Sequence, residues 1–193
     1  MSTTSVARGE AVRQRLLAAA VELIAELGWS AVSTRLLAER AGVTPSVVHY
    51  HYSSMRALLN EAVLEMIGRG VAELDRLLAT AHTPAEVIDA IFAAADRYTG
   101  RDDSTLVAVE STLAGTRDQQ LRADLRAALD GFRIRFGDWL AEHRVSDPHE
   151  TAAVVAASLD GLVLQRALGV ELPRPATAAV LRRLVATTEQ EDR

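Results

Sequence analysis

The sequence contains no cysteine, no lysine and few aromatic residues, with three phenylalanines, three tyrosines and two tryptophans among 193 residues. The absence of cysteine excludes a disulfide framework, a thiolate metal site and a cysteine nucleophile. No run of about 18 apolar residues is present, and a helix that spans a bilayer would need one. The first ten residues do not resemble a signal peptide. We therefore expect a cytoplasmic protein that makes no contact with a membrane.

Charge is unevenly distributed along the chain. The formal net charge of −5, taken over the whole chain, argues against a general nucleic-acid binder. Residues 1–60, however, contain six arginines and four glutamates, a charge of +2, whereas residues 61–193 carry −7. A mildly basic head on an acidic body suits a protein that contacts phosphate groups with one end only. A hydrophobic content of 49% is ample for a packed core.

Residues 38–52 show the pattern of a helix, a tight turn and a second helix. Gly42 suits the turn because glycine adopts a left-handed conformation without a steric clash. Thr44 is a good N-cap, and Pro45 then occupies the first helical position, where its missing N–H costs nothing. Small or apolar side chains on both sides of the turn allow close packing, and the remaining side chains of the second helix form an outward surface. This is the pattern of a helix-turn-helix, whose second helix enters the major groove of DNA.

Apolar periodicity predicts about nine helices and no strand, which places the chain in the all-α class. Ser33 is predicted to cap the second helix, and Thr83 with Glu86 and Asp147 with Glu150 are predicted capping boxes. We expect a helix-turn-helix head at residues 1–54 and a larger helical body at residues 55–193. The predicted helices cover residues 10–27, 34–41, 45–52, 55–81, 84–99, 104–116, 118–143, 148–168 and 175–188.

Residues 10–59 resemble the N-terminal domain of TetR-family transcriptional regulators. The matching positions are Leu16, Leu17, Ala19, Ala20, Leu23, Gly28, Trp29, Arg35, Leu37, Ala38, Ala41, Gly42, Val43, Tyr50, His51, Tyr52 and Leu58. The rest of the chain matches only in the number and lengths of its helices. The resemblance implies an all-helical homodimer that binds a near-palindromic operator in double-stranded DNA. Such proteins usually repress transcription, and a small apolar or amphipathic molecule in the larger domain releases them from DNA.

The resemblance also assigns the DNA contacts residue by residue. They fall on Ser33, Thr34, Arg35, Thr44, Pro45, Ser46, Val47, His49, Tyr50 and His51. The chain departs from the family at two positions, since His49 stands where tyrosine is most common and Met55 where a phosphate-binding lysine is usual. We expect either weaker contact with the DNA backbone or compensation for the missing lysine by Arg8, Arg13 or Arg35. Tyr52 is predicted to fill a core position that phenylalanine fills in relatives.

The body offers weaker signals for a ligand site. Phe132, Phe136 and Trp139 share one helix face, which is either part of the core or the lining of a pocket. Glu110 lies in an apolar run, where its carboxylate either faces water or turns inward toward a partner. Gln165 also lies in an apolar run, and its side chain likewise either faces water or turns inward toward a partner. The predicted ligand-binding residues are Tyr98, Glu110, Phe132, Phe136, Trp139 and Gln165.

The last two helices are predicted to form a dimer interface. The first of them carries a row of small residues at four-residue spacing, which allows close helix packing, and the second has a wide apolar face. An apolar face of that size usually indicates a partner, and the resemblance implies a four-helix bundle between two copies. Two-fold symmetry would then place the recognition helices about 34–36 Å apart. The predicted interface residues are Ala153, Ala157, Gly161, Leu181, Leu184 and Val185.

Two other functional classes compete with this hypothesis. An all-helical enzyme is disfavoured because the sequence has no nucleophile elbow, no phosphate-binding glycine loop and no zinc-binding histidine pair. We accordingly predict no catalytic residues, no metal site and no cofactor. The other alternative is a DNA-binding regulator whose body binds a protein partner or no ligand at all.

Overall fold

The computed structural model describes residues 3–95, 100–170 and 173–186. Within these ranges the chain forms nine α-helices, one 3-10 turn at Trp29–Ala31 and no β-strand, which confirms the all-α prediction. The helices are α1 (Thr3–Leu27), α2 (Thr34–Ala41), α3 (Pro45–His51), α4 (Met55–Thr80), α5 (Pro84–Ala95), α6 (Asp103–Gly115), α7 (Gln119–Glu142), α8 (Pro148–Ala167) and α9 (Arg174–Leu184).

Two helix ends in the described ranges differ from the sequence prediction by more than one residue. Helix α1 begins at Thr3 instead of residue 10. Residues 6–8 are exposed, with Val6 at 62% exposure, so this part of the helix carries no apolar periodicity that predicts a helix. Helix α9 ends at Leu184 instead of residue 188, and the following Val185 is buried. The predicted extension of α5 over residues 96–99 lies outside the described residues.

Two of the four predicted helix caps, those at Ser33 and Thr83, make side-chain cap hydrogen bonds. Ser33 Oγ accepts a hydrogen bond from a backbone N–H in the first turn of α2. At the start of α5, Thr83 Oγ1 accepts from the Glu86 N–H at 3.3 Å, and the Glu86 carboxylate accepts from the His82 N–H at 2.8 Å. The capping box predicted at Asp147 is wrong. Asp147 adopts a left-handed conformation (φ 45°, ψ 57°) rather than the extended one of an N-cap, and its side chain makes no cap hydrogen bond.

The described residues divide into two compact units. The first contains the chain up to Ile67 together with Asp102–Leu125. Its core is formed by α1, α2, α3, the start of α4 and one side of α6, which packs against α1 and the 3-10 turn. The fully buried large side chains of this core are Leu16, Ile24, Leu37, Val48, Leu58, Val63 and Val107.

The second unit contains Gly68–Arg101 and the residues from Arg126 onward. Helix α9 packs against α5 and α8 within this unit. The most deeply buried members of its core are Val87, Ile88, Phe136, Leu140, Ala152, Val155 and Val185. No helix in the described ranges is both long and apolar enough to cross a membrane. The predicted division at residues 54 and 55 concerns function and stays a prediction.

The turn between α2 and α3 depends on Gly42. Its backbone is left-handed (φ 65°, ψ 40°), as predicted. The Val43 N–H donates to the Ala38 carbonyl at 2.9 Å and the Gly42 N–H to the Glu39 carbonyl at 3.2 Å, which satisfies the last carbonyls of α2. No atom lies within 4 Å of the position that a Cβ would occupy at Gly42. The backbone conformation, and not lack of space, therefore demands glycine here.

Replacing Gly42 with alanine is expected to lower the free energy of unfolding by about 1–2 kcal/mol, because an L side chain disfavours the left-handed region. Gly9→Ala is the matched control: Gly9 lies inside α1, its Cβ position is also open, and alanine favours a helix. Urea unfolding of the three proteins measures both changes. A Gly42→Ala variant as stable as the wild type would contradict the role given to the turn.

Candidate nucleic-acid interface and internal cavity

Helix α3 is anchored by one buried side chain and exposes most of the others. Val48 is 2% exposed, whereas Tyr50 is 86% exposed. The rings of Tyr50 and His51 meet edge to face with their centroids 5.2 Å apart. Thr44 occupies the N-cap position but makes no side-chain cap hydrogen bond, so the helix does not use its hydroxyl group. Helix α3 thus presents phenol, imidazole and hydroxyl groups outside the core, all of which can form hydrogen bonds.

The ten predicted DNA-contact residues all lie at the start of α2 or in and beside α3. Three of them are half-buried, namely Thr34, Val47 and His51. Seven are exposed, namely Ser33, Arg35, Thr44, Pro45, Ser46, His49 and Tyr50. Contact with a groove requires such exposure, but the contacts themselves stay a prediction.

The arginines of the first sixty residues fall into two groups. Three form ion pairs: Arg13 with Glu10 and Glu61, Arg40 with Glu22 and Glu26, and Arg56 with Asp118. The other three, Arg8, Arg15 and Arg35, are exposed and have no ion pair among the described residues. The expectation that Arg13 replaces the missing lysine is therefore not favoured, because two carboxylates already neutralise its charge. Arg8 and Arg35 remain candidates for phosphate contact.

Tyr52 is buried at 6% exposure, which confirms its predicted place in the core. Its hydroxyl group donates a hydrogen bond to Glu61 Oε1 at 2.5 Å. Burial raises the pKa of the Tyr52 phenol, and the neighbouring Glu61 raises it further. No sequence pattern indicated this partner, because Glu61 lies in α4 and is not at a helical spacing from Tyr52.

The second unit encloses a cavity of about 200 Å³. Of the predicted ligand-binding residues, Phe132 and Gln165 line it. The apolar part of the lining consists of Leu74, Leu77, Ile91, Phe92, Ala94, Phe132, Leu159, Leu162, Val163 and Val170. Polar groups come from Glu73, Gln165, Arg166, Arg174 and Thr177. The three charged residues were not predicted, since single charges in helices with exposed faces give no distinguishing pattern.

The other predicted ligand-binding residues lie elsewhere. Phe136 is completely buried in the core of the second unit and does not line the cavity. Trp139 does not line it either, and its indole N–H donates to the Leu78 carbonyl at 3.0 Å. Glu110 belongs to the first unit, where its carboxylate accepts a hydrogen bond from the Trp29 N–H at 2.8 Å. Tyr98 lies outside the described residues.

The predicted interface residues of α9 need a correction. Leu181 and Val185 are 4% and 1% exposed, because they pack into the core of their own unit and have no surface left for a partner. Leu184 is 41% exposed and Val180 is 46% exposed. On α8, Ala157 is exposed, and Ala153 and Gly161 are half-buried. Exposed or half-buried residues follow one another along α8 at alternating three- and four-residue steps, namely Val154, Ala157, Gly161, Leu164 and Leu168.

Comparison with known proteins extends over most of the chain. Residues 16–62 match the family model described as bacterial regulatory proteins, tetR family, and residues 82–187 match the tetracyclin repressor-like C-terminal domain. The chain is 26% identical over 161 residues to the HTH-type transcriptional regulator BetI of Rhizobium meliloti (strain 1021), covering 81% of this chain and 78% of that protein.

Solved structures agree with this match. A transcriptional regulator from Streptomyces coelicolor A3(2) is 30% identical, with a TM-score of 0.75 and coverage of 91% of this chain and 99% of that one. A regulator from Saccharomonospora viridis, solved in complex with choline, is 20% identical, with a TM-score of 0.75 and coverage of 91% and 96%. At 20% identity the likeness to the Saccharomonospora viridis regulator shows the fold alone, whereas the two family models and the Streptomyces coelicolor structure show the family. The chain therefore belongs to the TetR family of DNA-binding transcriptional regulators.

Proposed function

We propose that this protein is a ligand-responsive repressor that binds a near-palindromic operator as a homodimer and leaves it when a small molecule binds the body. The observation that supports this best is the exposure of Tyr50 on a helix whose inner side is anchored by Val48. An exposed phenol beside imidazole and hydroxyl groups suits contact with base edges and phosphates in the major groove. Because the DNA of a bacterium lies in its cytoplasm, the cytoplasm is the proposed place of action.

In the proposed complex, α3 lies in the major groove. Tyr50, His49 and His51 form hydrogen bonds with base edges or phosphates, and Val47 contacts a thymine methyl group. Arg35 binds a phosphate at the start of α2. Its exposure and the absence of an ion pair among the described residues support this role. Met55 leaves the usual lysine contact unmade, so Arg35 carries a larger share of the electrostatic attraction.

The proposed dimer forms through α8 and α9. The alternating three- and four-residue spacing of Val154, Ala157, Gly161, Leu164 and Leu168 is the spacing of a helix-helix seam. Small residues in the middle of the row allow two helices to approach closely. Val180 and Leu184 on α9 would complete a four-helix bundle with the partner copy. Such a dimer would present two α3 helices to half-sites about one DNA turn apart.

The cavity of the second unit is the proposed ligand site. At about 200 Å³ it is somewhat larger than the ~150 Å³ apolar cavity that holds benzene. Its walls are mainly apolar, and the charged residues in the described part of its lining are Glu73, Arg166 and Arg174. Arg166 and Arg174 each carry five N–H donors, so either can donate to a ligand carboxylate beside its bonds within the protein, and this favours a small amphipathic molecule with an acidic group. The choline complex of the Saccharomonospora viridis regulator makes choline, a cation, the matched alternative to test.

Helix α4 is the proposed route for the ligand signal. Its residues Gly70, Glu73, Leu74 and Leu77 line the cavity, and its first turns belong to the first unit. We propose that α4 has one position when the protein is bound to DNA and another when it is released. A ligand that binds one of these states more tightly than the other would change the affinity for DNA. A ligand with equal affinity for both would change nothing.

Replacing Tyr50 and His51 together with alanine is expected to abolish specific DNA binding. Each good base contact is worth about 1–3 kcal/mol, so losing two weakens operator binding by about thirtyfold or more. The measurement is a mobility-shift titration on DNA flanking the protein's own gene, and gel filtration checks that the variant remains dimeric. A wild type that retards no fragment at moderate salt would contradict the proposed function. A double variant that still binds specifically would contradict the assignment of α3.

Replacing Leu164 with glutamate is expected to convert the dimer to a monomer, because it places a charge in the centre of the proposed seam. Leu113→Glu is the matched control, since Leu113 is 51% exposed against 48% for Leu164 but lies on α6 in the first unit. Light scattering coupled to gel filtration measures the mass of each variant. Dissociation by both substitutions, or by neither, would count against the proposed seam.

Among four probes, phenylacetate is expected to raise the melting temperature most, ahead of 2-phenylethanol, 2-phenylethylamine and choline. The rise should grow with ligand concentration, because binding to the folded state alone stabilises it. Phenylacetate should also release the operator fragment. Arg174→Gln should weaken its binding by roughly tenfold, because a hydrogen bond to a charged group is lost.

Arg182→Gln is the matched control for Arg174→Gln. Arg182 pairs with Asp89 in the same unit and does not line the cavity. Stabilisation by choline or the amine alone would overturn the preference for an acid. If a broader screen of apolar metabolites also finds no ligand, the body binds a protein partner or nothing.

A further inference from the structure

A single carboxylate joins three helices of the first unit. Glu61 Oε1, on α4, accepts the hydrogen bond of the Tyr52 hydroxyl group at 2.5 Å. The same oxygen lies 2.6 Å from Nη2 of Arg13, on α1. Tyr52 is the C-cap residue of α3, and its backbone N–H donates to the Val48 carbonyl. The side chain of the residue that ends the recognition helix is thus tied to α1 and α4 together.

This network is shielded from water on its tyrosine side. Tyr52 is 6% exposed, and the side chains of Arg13 and Glu61 are each 36% exposed. An ion pair in such a place is screened less than one that is fully exposed. Charge-assisted hydrogen bonds of this kind are also shorter and stronger than neutral ones. The three groups therefore restrain one another in direction as well as in distance.

Helix α3 needs such a restraint because it has little packing of its own. It contains seven residues, and Val48 is its buried side chain. One apolar anchor fixes the distance of a short helix from the core but leaves rotation about that anchor easy. The glycine turn restrains the first end of α3, and the Tyr52 hydrogen bond restrains the other.

The positive charge of Arg13 is offset by neighbouring carboxylates, so Arg13 contributes little attraction to a phosphate. Its guanidinium lies 3.2 Å from Glu10 as well as 2.6 Å from Glu61, so two carboxylates surround one cation. An arginine of α1 close to the end of a recognition helix would otherwise be a natural phosphate contact. Here its charge is used within the protein.

We propose that Tyr52, Glu61 and Arg13 are positioning residues that fix the orientation of α3 for operator recognition, and that Arg13 acts through this network instead of binding phosphate. The inference rests on the proposed DNA-binding role of α3. It goes beyond that role by assigning a function to three residues that do not themselves touch DNA. It also explains why a tyrosine, with its hydroxyl group, is useful in a core position.

The first test is Tyr52→Phe, which removes only the hydroxyl group and leaves the net charge unchanged. Affinity for the operator fragment should fall by about tenfold, the effect of losing a hydrogen bond to a charged group. Affinity for a scrambled fragment of the same length should not change, because non-specific binding depends on phosphate contacts. Hydrogen exchange of the α3 backbone amides, measured without DNA, should become faster.

Gln14→Ala is the matched control for this variant. The Gln14 side chain connects α1 to α4 by donating to Glu65 at 3.4 Å and also donates to Glu10 at 3.1 Å, and neither hydrogen bond involves α3. This substitution should leave both the operator affinity and the exchange of the α3 amides unchanged. An effect equal to that of Tyr52→Phe would indicate general loosening of the unit and would overturn the proposal.

The second test separates positioning from phosphate binding through the salt dependence of affinity. Arg13→Gln should weaken operator binding without changing the slope of log affinity against log salt concentration. Arg35→Gln, which removes a proposed phosphate contact, should reduce the magnitude of that slope by about 0.9. A reduction of the same size for Arg13→Gln would make it a phosphate ligand and overturn its positioning role.

The outcomes for the network and for the proposed function are distinguishable. Wild-type operator affinity in Tyr52→Phe would overturn the positioning role, even if α3 exchange became faster. If the wild type bound no operator, the proposed function would fail. In that case hydrogen exchange, which is measured without DNA, would still test whether the network restrains α3. Unchanged exchange of the α3 amides in Tyr52→Phe would show that it does not.

Discussion

The left-handed turn at Gly42 is the constraint on which the rest of the DNA-binding unit depends. It allows two short helices, α2 and α3, to share one small core with α1, so that Ala38, Ala41 and Val48 are buried together. Because these small residues complete the packing, α3 does not need its remaining side chains for stability. Tyr50 and His49 are consequently free to serve recognition. The geometry of the turn therefore determines which side chains of α3 are left on the surface.

Half of the arginines in the first sixty residues form ion pairs within the protein. Arg13 of α1 pairs with Glu61 of α4, and Arg40 of α2 pairs with Glu26 of α1, both at 2.6 Å. Few arginines remain for DNA, and Met55 removes a contact that the family usually makes. Non-specific attraction to phosphate should therefore be modest. Discrimination between sequences then rests on the orientation of α3 more than on bulk electrostatics, which gives the Tyr52 network its importance.

Sequence patterns predicted the helices and the turn well, because local rules of periodicity, capping and glycine conformation determine them. Sequence patterns failed to predict whether an apolar helix face packs into the core of its own chain, lines the cavity or faces a partner copy. The apolar face of α9 was assigned to a partner copy, yet Leu181 and Val185 belong to the core of their own chain. Likewise Phe132 lines the cavity while Phe136, one turn later, is in the core. The contact between Tyr52 and Glu61 joins separate helices, and no local rule predicts it.

The central claim is that the exposed surface of α3 reads a specific, two-fold symmetric DNA sequence. The most direct measurement is selection of bound fragments from a random double-stranded DNA library by the full-length protein, followed by sequencing. We expect enrichment of a near-palindrome whose half-sites are centred about 10 base pairs apart or a multiple of that spacing. Enrichment of no common sequence, or of an asymmetric single site, would contradict the claim.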